Sequence, residues 1–525
     1  MKPFCFVTGA LLALTAPAAA QWAENFESYT SPTVLNNVNG WFGWDNNPVA
    51  AGTAISTFAH SGSNALYCAA GVTDAVHPAL GATSGKWRLT AWQYIPSPLA
   101  GEVYLILNNV YNHGGPYNWT TELKCVNGFV SDDFRSGTPQ PLVYDQWVQF
   151  RIEIDLGANT VSNYYNGCLI STGAYNALGG PLAIENIDLF SNGGACFWDD
   201  IVLEQPWSEN FDSYPTGTVM DNVGGWFGWD NVPAAAGTAV STFSHTGPNS
   251  LRCAPGTDAV HPGFGITSGK WTVTAWQYIA TGDLAGGPVF FILNNSYTHG
   301  GPYTWSGELQ FNGTTVVDDL RAGSSIPIAF DQWSEIRVVF DLGANTTSSY
   351  YNGQLVSTGT WIVASGGNGP AALANMDLFS NGGTCYWDDI SVDHTPDAIA
   401  NPFGTGCPGT GAIVPVVATT GLPVSGSTSF AVNLLSAAPN VPAVLLFSPL
   451  CNSQAFGSCT LYVSLPTLSL AVVGTDSLGN AVVPLSIPSG VALGTNAFMQ
   501  WVVIDPAGAF AGLAFSPGLR LQIGQ

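Results

Sequence analysis

Hydrophobic and polar residues alternate with a period of two along several stretches of the chain. Segments 86–94 (KWRLTAWQY) and 146–155 (QWVQFRIEID) carry aromatic or β-branched residues at alternate positions. This alternation predicts strands that turn one face toward a core. The dipeptides Asn166–Gly167 and Asn352–Gly353 lie between strand-like stretches, where Asn-Gly predicts a tight hairpin. Because no amphipathic helix is predicted, we expect the strands to close into all-β sandwiches.

An internal repeat with a period near 185 residues organises most of the chain. The recurring segments are WAENFESY (22–29) and WSENFDSY (207–214), GWFGWD (40–45 and 225–230), DAVHP (74–78 and 258–262), NNVYNHGGPYNW (108–119) and NNSYTHGGPYTW (294–305), and CFWDDI (196–201) and CYWDDI (385–390). A period of this length is that of a whole domain rather than a solenoid unit. The repeat predicts two tandem domains, copy 1 at 21–204 and copy 2 at 205–394.

Each copy also carries motifs that resemble a known family. The pattern W-x-x-x-R-(I/V)-x-(I/F)-D is followed by Y-Y-N-G-x-L-(I/V)-S-T-G. This pair resembles the penultimate hairpin of concanavalin A-like lectin and laminin G-type jelly rolls. The E-N-F-(E/D)-S-Y opening and the W-D-D-I ending are similar to the first and last strands of secreted jelly-roll modules. The resemblance covers both copies and implies two tandem jelly-roll β-sandwiches, without specifying a ligand.

The composition changes at about Pro396, where a region rich in Val, Leu and Ala and punctuated by Gly and Pro begins. The charged residues of this region are Asp397, Asp476, Asp505 and Arg520. It resembles a small β-module found at the C-terminus of many secreted bacterial proteins. We therefore expect 395–525 to be a β-rich, sandwich-like accessory module, to which the resemblance assigns surface retention or sorting and no chemistry.

The first twenty residues have the pattern of a cleaved secretory signal peptide. A charged start at Lys2 precedes the apolar stretch 4–13 and the small residues 18–20. No later segment has the roughly 18 uninterrupted apolar residues that a membrane span requires. These features predict a protein that is secreted or held at the cell surface.

Charge is sparse and one-sided, with 35 acidic against 11 basic residues. This balance disfavours nucleic acid, whose phosphates require Lys and Arg, and it disfavours anionic membranes. Neutral ligands and divalent cations remain open.

Cysteines provide a second structural expectation, because an exported chain favours disulfides. The cysteines at 68 and 196 recur in copy 2 at 253 and 385, whereas those at 125 and 168 occur in copy 1 alone. Residues that are present together and absent together are most simply a bridge. The predicted disulfides are Cys68–Cys196, Cys253–Cys385, Cys125–Cys168 and, as the local pair of the module, Cys451–Cys459. The third cysteine of the module is left without an assigned partner.

The repeated NN-x-Y-x-HGGPY-x-W loop combines aromatic rings with polar groups, the two halves of a sugar-binding site. Aromatic rings pack against the CH faces of sugars, and Asn, Asp and His bond to the hydroxyls. The candidate ligand-binding residues are Trp44, Asp45, His77, Asn108, Tyr111, His113, Tyr117 and Trp119, with Trp229, Asp230, His261, Asn294, Tyr297, His299, Tyr303 and Trp305 in copy 2. The leading hypothesis is non-catalytic, lectin-like binding of a neutral polysaccharide. A purely structural cell-surface protein is an alternative, in which these aromatic residues are core.

A polysaccharide lyase is a second alternative, because the chain contains residues of the types that jelly-roll lyases use. These enzymes neutralise a uronate with Gln or Asn and transfer protons with Tyr and His. The candidates are Gln93, Tyr111, His113 and Arg135, with Gln277, Tyr297, His299 and Arg321 in copy 2. The sequence motifs of those lyases are not present.

A glycoside hydrolase requires two carboxylates at a defined separation. The E-x-D-x-x-E strand of jelly-roll glucanases is not present, and Glu185-Asn-Ile-Asp188 becomes Ala374-Asn-Met-Asp377 in copy 2. The shared pair Glu122 and Glu308 is interpreted as turn residues or solvated charges. Hydrolysis is therefore not favoured.

The sequence also allows a structural calcium ion in each copy. The first and last strands often pair in the resembled fold, which would bring oxygen ligands together. The candidate ligands are Glu24, Asp199 and Asp200 in copy 1 and Glu209, Asp388 and Asp389 in copy 2.

Overall fold

The computed structural model describes residues 22–489 and 491–525. The predicted signal peptide lies outside these residues. The all-β prediction is confirmed, since antiparallel sheets form every layer of the described chain. No helix among the described residues is long and apolar enough to cross a membrane. The chain divides into two compact units, one formed by 207–394 and the other by 22–206 together with 395–525.

Copy 1 is a sandwich of two sheets. Its strands are β1 (Trp22–Glu24), β2 (Thr33–Val34), β3 (Phe42–Gly43), β4 (Thr53–Ile55), β5 (Ala65–Cys68), β6 (Val72–His77), β7 (Lys86–Tyr94), β8 (Glu102–Tyr111), β9 (Tyr117–Val126), β10 (Phe129–Asp132), β11 (Gln140–Pro141), β12 (Trp147–Asp155), β13 (Thr160–Tyr165), β14 (Cys168–Ala174), β15 (Asn186–Asn192) and β16 (Cys196–Glu204). The back sheet has the order β14-β13-β12-β7-β16-β5-β4-β2, with β1 paired to β16. The front sheet has the order β11-β10-β9-β8-β15-β6-β3.

The predicted period of two is what builds the core between these sheets. Along β12, Val148, Phe150, Ile152 and Ile154 are buried while the residues between them are half-buried. Side chains alternate across a strand, so one face of β12 packs inward. The predicted hairpin at 166–167 joins β13 to β14, and both of its residues have positive φ, 50° and 75°. Asn and Gly tolerate this conformation better than other residues, which is why the turn occurs here.

Copy 2 repeats the same architecture. Its strands are β17 (Trp207–Glu209), β18 (Phe227–Gly228), β19 (Thr238–Val240), β20 (Ser250–Cys253), β21 (Asp258–Ile266), β22 (Lys270–Tyr278), β23 (Val289–Ser296), β24 (Thr304–Asn312), β25 (Thr315–Asp318), β26 (Ile326–Pro327), β27 (Trp333–Asp341), β28 (Thr346–Tyr351), β29 (Gln354–Gly359), β30 (Leu373–Ser380) and β31 (Cys385–His394). One sheet has the order β19-β20-β31-β22-β27-β28-β29 with β17 on β31, and the other has β18-β21-β30-β23-β24-β25-β26.

The C-terminal module is a smaller β-structure with its own core. Its strands are β32 (Ile399–Phe403), β33 (Val416–Thr420), β34 (Ala431–Leu435), β35 (Pro442–Ser448), β36 (Cys451–Phe456), β37 (Cys459–Val463), β38 (Leu468–Gly474), β39 (Ala481–Pro484), β40 (Asn496–Ile504) and β41 (Leu513–Gln522). A sheet of order β32-β41-β40-β35-β38 faces the sheet β33-β34-β39, with the side chain of Trp501 fully buried in the shared core. The remaining regular elements of residues 22–489 and 491–525 are single 3-10 turns at Trp44–Asn46, Trp229–Asn231, Pro233–Ala235 and Thr410–Ala412.

The module packs directly on copy 1. Phe403, Tyr462 and Phe498 belong to the same buried cluster as the core of copy 1. The Arg520 guanidinium, 1 % exposed, donates to Asn496 Oδ1 at 2.9 Å and reaches Asn166 Oδ1 in the β13–β14 hairpin at 3.4 Å. Burial lowers the pKa of Arg520 to about 9. The only arginine in the sequence of the module therefore contacts copy 1.

The structure corrects the predicted disulfides. Cys168 is joined to Cys451, and Cys407 is joined to Cys459. The predictions Cys125–Cys168 and Cys451–Cys459 are therefore wrong. Cys168 occurs in copy 1 alone because its partner belongs to the single C-terminal module, a contact that comparing the two copies cannot reveal. Cys125 is a buried thiol.

The two predicted bridges that recur in both copies join strand neighbours that remain thiols. Cys68 lies opposite Cys196 on β5 and β16, and Cys253 lies opposite Cys385 on β20 and β31. The Cys68 thiol lies 3.7 Å from the carbonyl oxygen of Leu189, to which it donates a weak hydrogen bond. A hydrogen bond with Cys196 and burial raise the pKa of Cys68 well above its usual value. The predicted pairs are therefore adjacent but not bonded.

Candidate functional site

The outer face of the front sheet in copy 1 carries a cavity of about 390 Å³, which we call the trough. Its lining residues are Trp44, Asp74, Tyr104, Ile106, Tyr117, Trp119, Glu122, Asp188 and Phe190. Copy 2 has a corresponding trough of about 520 Å³. Its lining residues are Trp229, Asp258, Ile292, Tyr303, Trp305, Glu308, Leu320, Ser365, Asp377 and Phe379. Each trough combines aromatic walls with three carboxyl groups.

Strand register places the carboxyl groups on one face. Asp188 on β15 pairs with Ile106 on β8, and Ile106 pairs with Glu122 on β9. Directly paired residues in an antiparallel sheet point to the same side. Asp188 and Glu122 therefore stand on either side of Ile106 in one row. Asp74 lies in the adjacent row, because it pairs with Phe190 on β15.

Copy 2 reproduces this arrangement with the corresponding residues. Asp377 on β30 pairs with Ile292 on β23, which pairs with Glu308 on β24. Asp258 on β21 pairs with Phe379 on β30. The three carboxyl positions of the trough are thus identical in register in the two copies.

Asp74 and Asp188 form a coupled acid pair. Burial and the charge of Asp74 raise the pKa of Asp188, which is 2 % exposed, well above its usual range. Burial also raises the pKa of Asp74, while a hydrogen bond with Asp188 opposes that rise. The buried Oδ1 atoms of both residues have no donor from another side chain or from the backbone. A proton held on Asp188 and donated to Asp74 satisfies both, because two adjacent buried carboxyl groups do not ionise together.

Glu122 has a different environment. It is half-buried on β9, next to Lys124 on the same face and close to Asp133. Burial and the charge of Asp133 raise its pKa, and the Lys124 charge opposes this rise. In copy 2 burial and the charge of Asp319 raise the pKa of Glu308. Each trough therefore holds carboxyl groups in unlike surroundings, which separates their proton affinities.

Three aromatic side chains form the wall of the trough in copy 1. The Trp44 ring centroid lies 4.8 Å from that of Tyr117, and 6.2 Å from that of Trp119 with the planes nearly parallel. All three rings are half-buried, which leaves part of each ring accessible. In copy 2 the Trp229 and Tyr303 ring centroids are also 4.8 Å apart.

The repeated HGGPY loop holds this wall in place. Asp45 accepts hydrogen bonds from the Gly114 backbone N–H at 2.8 Å and from the Tyr117 hydroxyl at 2.7 Å. The Tyr111 hydroxyl contacts Nδ1 of His113 at 3.1 Å and accepts from the Asp45 backbone N–H. Asp45 itself has φ 56°, a conformation in which Asp is one of the few favoured residues.

Next to the carboxyl row lies a row of buried amides on the same face. Asn186 on β15 pairs with Asn108 on β8, and both side chains are fully buried. Neither the oxygen nor the nitrogen of either amide has a hydrogen-bond partner. In copy 2 both amide atoms of Asn375 are likewise without a partner. Buried polar groups of this kind are nearly always satisfied, so this amide row next to the carboxyl row is a place for a bound water.

The structure brings together some of the predicted binding residues and separates others. Six of them line the troughs, namely Trp44, Tyr117, Trp119, Trp229, Tyr303 and Trp305. The loop residues Asp45, Tyr111 and His113, with Asp230, Tyr297 and His299, support the wall instead of lining it. Asn108 and Asn294 are fully buried.

His77 and His261 were candidates for ligand contact, but they pack against aromatic side chains outside the trough lining. The His77 ring lies 4.6 Å from Trp22 and 5.3 Å from Trp41, measured between ring centroids. His261 lies equally close to Trp207, and burial lowers its pKa to about 4. A neutral imidazole between indole rings is a packing residue.

The lyase candidates do not form a site in the structure. Gln93 is 2 % exposed and faces the core thiol of Cys125, 3.7 Å away. Arg135 is bound to Asp132 and to the carbonyl oxygen of Ala174. The corresponding residues of copy 2, Gln277, Arg321, Tyr297 and His299, have matching surroundings. The members of this set are divided between core, a buried ion pair and the HGGPY loop, and the structure does not bring them together.

The calcium candidates are occupied by donors of the protein. The predicted pairing of the first and last strands is confirmed, with Glu24 opposite Ile201. Glu24, however, accepts from the Phe26 N–H and the Trp41 indole. The other candidate oxygens are engaged in the same way, by His60 and Ser61 at Asp199 and Asp200, by Phe211 and Tyr214 at Glu209, and by His245 and Thr246 at Asp388 and Asp389. No group of three or more His, Cys, Asp or Glu among the described residues is arranged to hold a metal ion.

Sequence reasoning missed the carboxyl groups of the trough. Glu122 was interpreted as a turn or solvated charge, which is wrong because it lies within β9 and lines the cavity. Asp188 is not predicted as catalytic from the sequence, because Glu185, its neighbour in the motif, is replaced by Ala374 in copy 2. The available signal was the retention of Asp74, Glu122 and Asp188 in both copies, at positions with no short common spacing.

No protein-family model matches the chain, and no curated protein matches it. Among solved structures, the chain is similar to the tandem CBM22 domains of Xyn10C from Paenibacillus barcinonensis, at 10 % identity and a TM-score of 0.23, over 72 % of this chain and 97 % of that one. It is similar to a sialidase at 8 % identity and a TM-score of 0.27, over 58 % of this chain and 32 % of that one. It is also similar to a protein from the endo-acting O-glycanases of human gut microbiota, at 14 % identity and a TM-score of 0.26. That match covers 35 % of this chain and 98 % of the other. Scores this low carry no argument for a function, and the concanavalin A-like assignment stays a prediction.

Proposed function

We propose that each copy binds a neutral glycan in its trough. The observation that carries this proposal is the pairing of a half-buried aromatic wall, Trp44, Tyr117 and Trp119, with carboxyl groups on the floor. Ligand pockets combine apolar and aromatic walls with a few placed polar groups in this manner. Aromatic faces suit the CH faces of sugar rings, and carboxyl oxygens accept hydrogen bonds from sugar hydroxyls.

The acidic character of the trough selects against anionic glycans. Asp74, Asp188 and Glu122 lie on the floor of copy 1, and Lys124 is the cation next to them. Lys124 is already paired with Glu102 at 3.1 Å. A uronate or sulfate would meet carboxyl groups with no free cation beside them, and like charges in a desolvated site repel. This supports a neutral polysaccharide as the ligand class.

Two troughs on one chain favour a polymer over a short oligosaccharide. When one polymer reaches both sites, the second binding event becomes intramolecular and the apparent affinity rises. The chain is proposed to act outside the cell, as its disulfides are of a kind that persists in oxidising compartments. A role of the C-terminal module in cell-surface association stays a prediction.

The test is a glycan array followed by affinity electrophoresis of full-length protein in soluble neutral polysaccharides. The double variant Trp119→Ala with Trp305→Ala removes one ring from the aromatic wall of each trough. It is expected to reduce the retardation of the protein by the polysaccharide at least about tenfold. Phe58→Ala with Phe243→Ala is the matched control, because both rings pack on Tyr94 or Tyr278 and lie outside the trough lining. Equal loss in the two variants, or loss in the control alone, would reject the trough as the binding site.

A further inference from the structure

We infer that the trough is also catalytic and hydrolyses a glycosidic bond, with Asp188 as general acid and Glu122 as general base in copy 1. Asp377 and Glu308 have the same roles in copy 2. The inference rests on the proposed glycan binding for its substrate and adds a reaction to it. It is carried by the two carboxyl groups that line the cavity on either side of Ile106, or of Ile292 in copy 2.

The spacing of the two groups follows from the register. Asp188 and Glu122 occupy one row and are separated by the single strand β8. Neighbouring strands lie about 4.8 Å apart, so the two backbones are about 10 Å apart. Carboxyl groups about 6.5–9.5 Å apart leave room for a water molecule beside the sugar, as inverting glycosidases require. Because the two side chains stand on one face in the same row, the separation of their backbones favours inversion over a covalent intermediate, which needs carboxyl groups about 5 Å apart.

The surroundings of the two groups suit unlike roles. Asp188 is almost fully buried and is coupled to Asp74, whereas Glu122 is half-buried beside Lys124. The more deeply buried group retains its proton at a higher pH and can donate it, and the half-buried group, which is less desolvated, ionises at a lower pH. Asp74 is a positioning residue, since its charge keeps the proton on Asp188. The Asp188 hydroxyl turns from Asp74 to the glycosidic oxygen when the substrate binds.

Independent support comes from the amide row beside the carboxyl row. Asn186 and Asn108 are fully buried and lack hydrogen-bond partners on both amide atoms. Asn186 precedes Asp188 by two residues on β15, so its side chain points to the same face. These amides lie in the row next to the reacting row, where an ordered water can complete their hydrogen bonds. Asn375 repeats the feature two residues before Asp377.

The reaction is a single displacement. The Asp188 carboxyl group transfers its proton to the glycosidic oxygen as the bond between that oxygen and the anomeric carbon breaks. Glu122 takes a proton from water, and the water oxygen forms the new bond to the anomeric carbon from the opposite face. The products are a hemiacetal of inverted configuration and the alcohol of the leaving sugar. Exchange with solvent then returns a proton to Asp188 and removes one from Glu122.

The experiment uses full-length protein and a panel of laminarin, mixed-linkage β-glucan, xylan and galactomannan. Binding is measured by affinity electrophoresis, and hydrolysis is measured by new reducing ends, with the anomer assigned by proton NMR. The double variants Asp188→Asn with Asp377→Asn and Glu122→Gln with Glu308→Gln are each expected to lower the hydrolysis rate at least about 100-fold. Binding is expected to weaken but to persist in both double variants, because the aromatic wall of each trough is unchanged. Glu185→Gln is the matched control, because copy 2 has Ala374 at that position.

The outcomes separate the inference from the proposed function. Binding without new reducing ends overturns hydrolysis and leaves the binding site standing. If the protein neither binds nor hydrolyses any polysaccharide of the panel, both the hydrolysis and the proposed binding are overturned. Hydrolysis that survives in both double variants, or a product of retained configuration, overturns the assigned roles. Thermal unfolding is measured for each variant, and the Glu122→Gln pair decides the case if the buried Asp188→Asn pair does not fold.

Discussion

The Tyr117 hydroxyl donates a hydrogen bond of 2.7 Å to the Asp45 carboxylate. Asp45 also accepts from the Gly114 backbone N–H, so one carboxylate ties strand β9 and the β8–β9 loop to the turn that holds Trp44. Trp44 and Tyr117 are both part of the aromatic wall. The contact therefore fixes the wall before a ligand arrives, which lowers the cost of ordering it on binding.

Replacing Asp45 and Asp230 by alanine is expected to weaken glycan binding about five- to tenfold. The wall loses the acceptor that positions it, a contribution of the size of one or two hydrogen bonds. Isothermal titration with the polysaccharide bound by the unmodified protein measures the effect. Tyr117→Phe with Tyr303→Phe retains both rings and should give a smaller loss. Unchanged affinity in the alanine variant would show that the loop holds its shape without the carboxylate.

The stability of the protein is expected to fall as the pH rises from about 4 to about 7. Burial and the charge of Asp200 raise the pKa of Asp199 to about 7, and burial raises that of Asp388 to about 6. An unfolded Asp titrates at about 3.9, so the folded state binds more protons across this window. The stabilisation is fully present below about pH 4 and is lost as the folded groups ionise.

Thermal unfolding between about pH 4 and pH 8 checks this expectation. The midpoint temperature should decrease with rising pH, and Asp199→Asn with Asp388→Asn should reduce the slope. Asp188 and Asp377 contribute with the same sign, because burial also raises their pKa values. A midpoint that rises across the window would contradict the direction of these shifts.

Breaking the Cys168–Cys451 disulfide is expected to cost about 2–4 kcal/mol in the free energy of unfolding. The bond joins β14 of copy 1 to the module across 283 residues of sequence, so it restricts the unfolded chain strongly. Cys168→Ser and Cys451→Ser are compared by chemical denaturation with Cys125→Ala, which alters a buried thiol outside the bond. Peptide mapping that finds Cys125 linked to Cys168 would refute the pairing.

Arg520→Met is expected to destabilise the unit of copy 1 and module by about 2–3 kcal/mol, because it leaves buried amide oxygens unpaired. Asn166 and Asn496 each lose the guanidinium as a donor. Limited proteolysis followed by reduction of the Cys168–Cys451 bond should release the module more rapidly from this variant. Arg252→Met, at an exposed position of β20, should leave the rate unchanged.

Local chemistry accounts for what the sequence predicted correctly. The alternation along β12 and the Asn-Gly hairpin at 166–167 depend on neighbouring residues, and both appear as expected. The docking of the module depends on Arg520 reaching Asn166, which lies 354 positions away in the sequence. No periodicity encodes a contact of that separation.

The trough shows the same division. Its aromatic wall came from the repeated motif and was partly predicted, since Trp44, Tyr117 and Trp119 are near the conspicuous HGGPY loop. Its floor comes from Asp188 and Glu122, which meet only through the register of β15, β8 and β9. Register is a property of the assembled sheet. The sequence alone therefore gives no sign that Asp188 and Glu122 line the same cavity.

The packing of 395–525 on 22–206 makes copy 2 an insertion within one folding unit. During synthesis copy 1 is made first and copy 2 second. The residues of the C-terminal module that cover the core of copy 1 are made last. Phe403, Tyr462 and Phe498 therefore reach the core of copy 1 last. Until they do, a nascent chain exposes an apolar surface that its own C-terminus will later bury. The order of synthesis thus leaves the earliest domain to be completed by the latest segment.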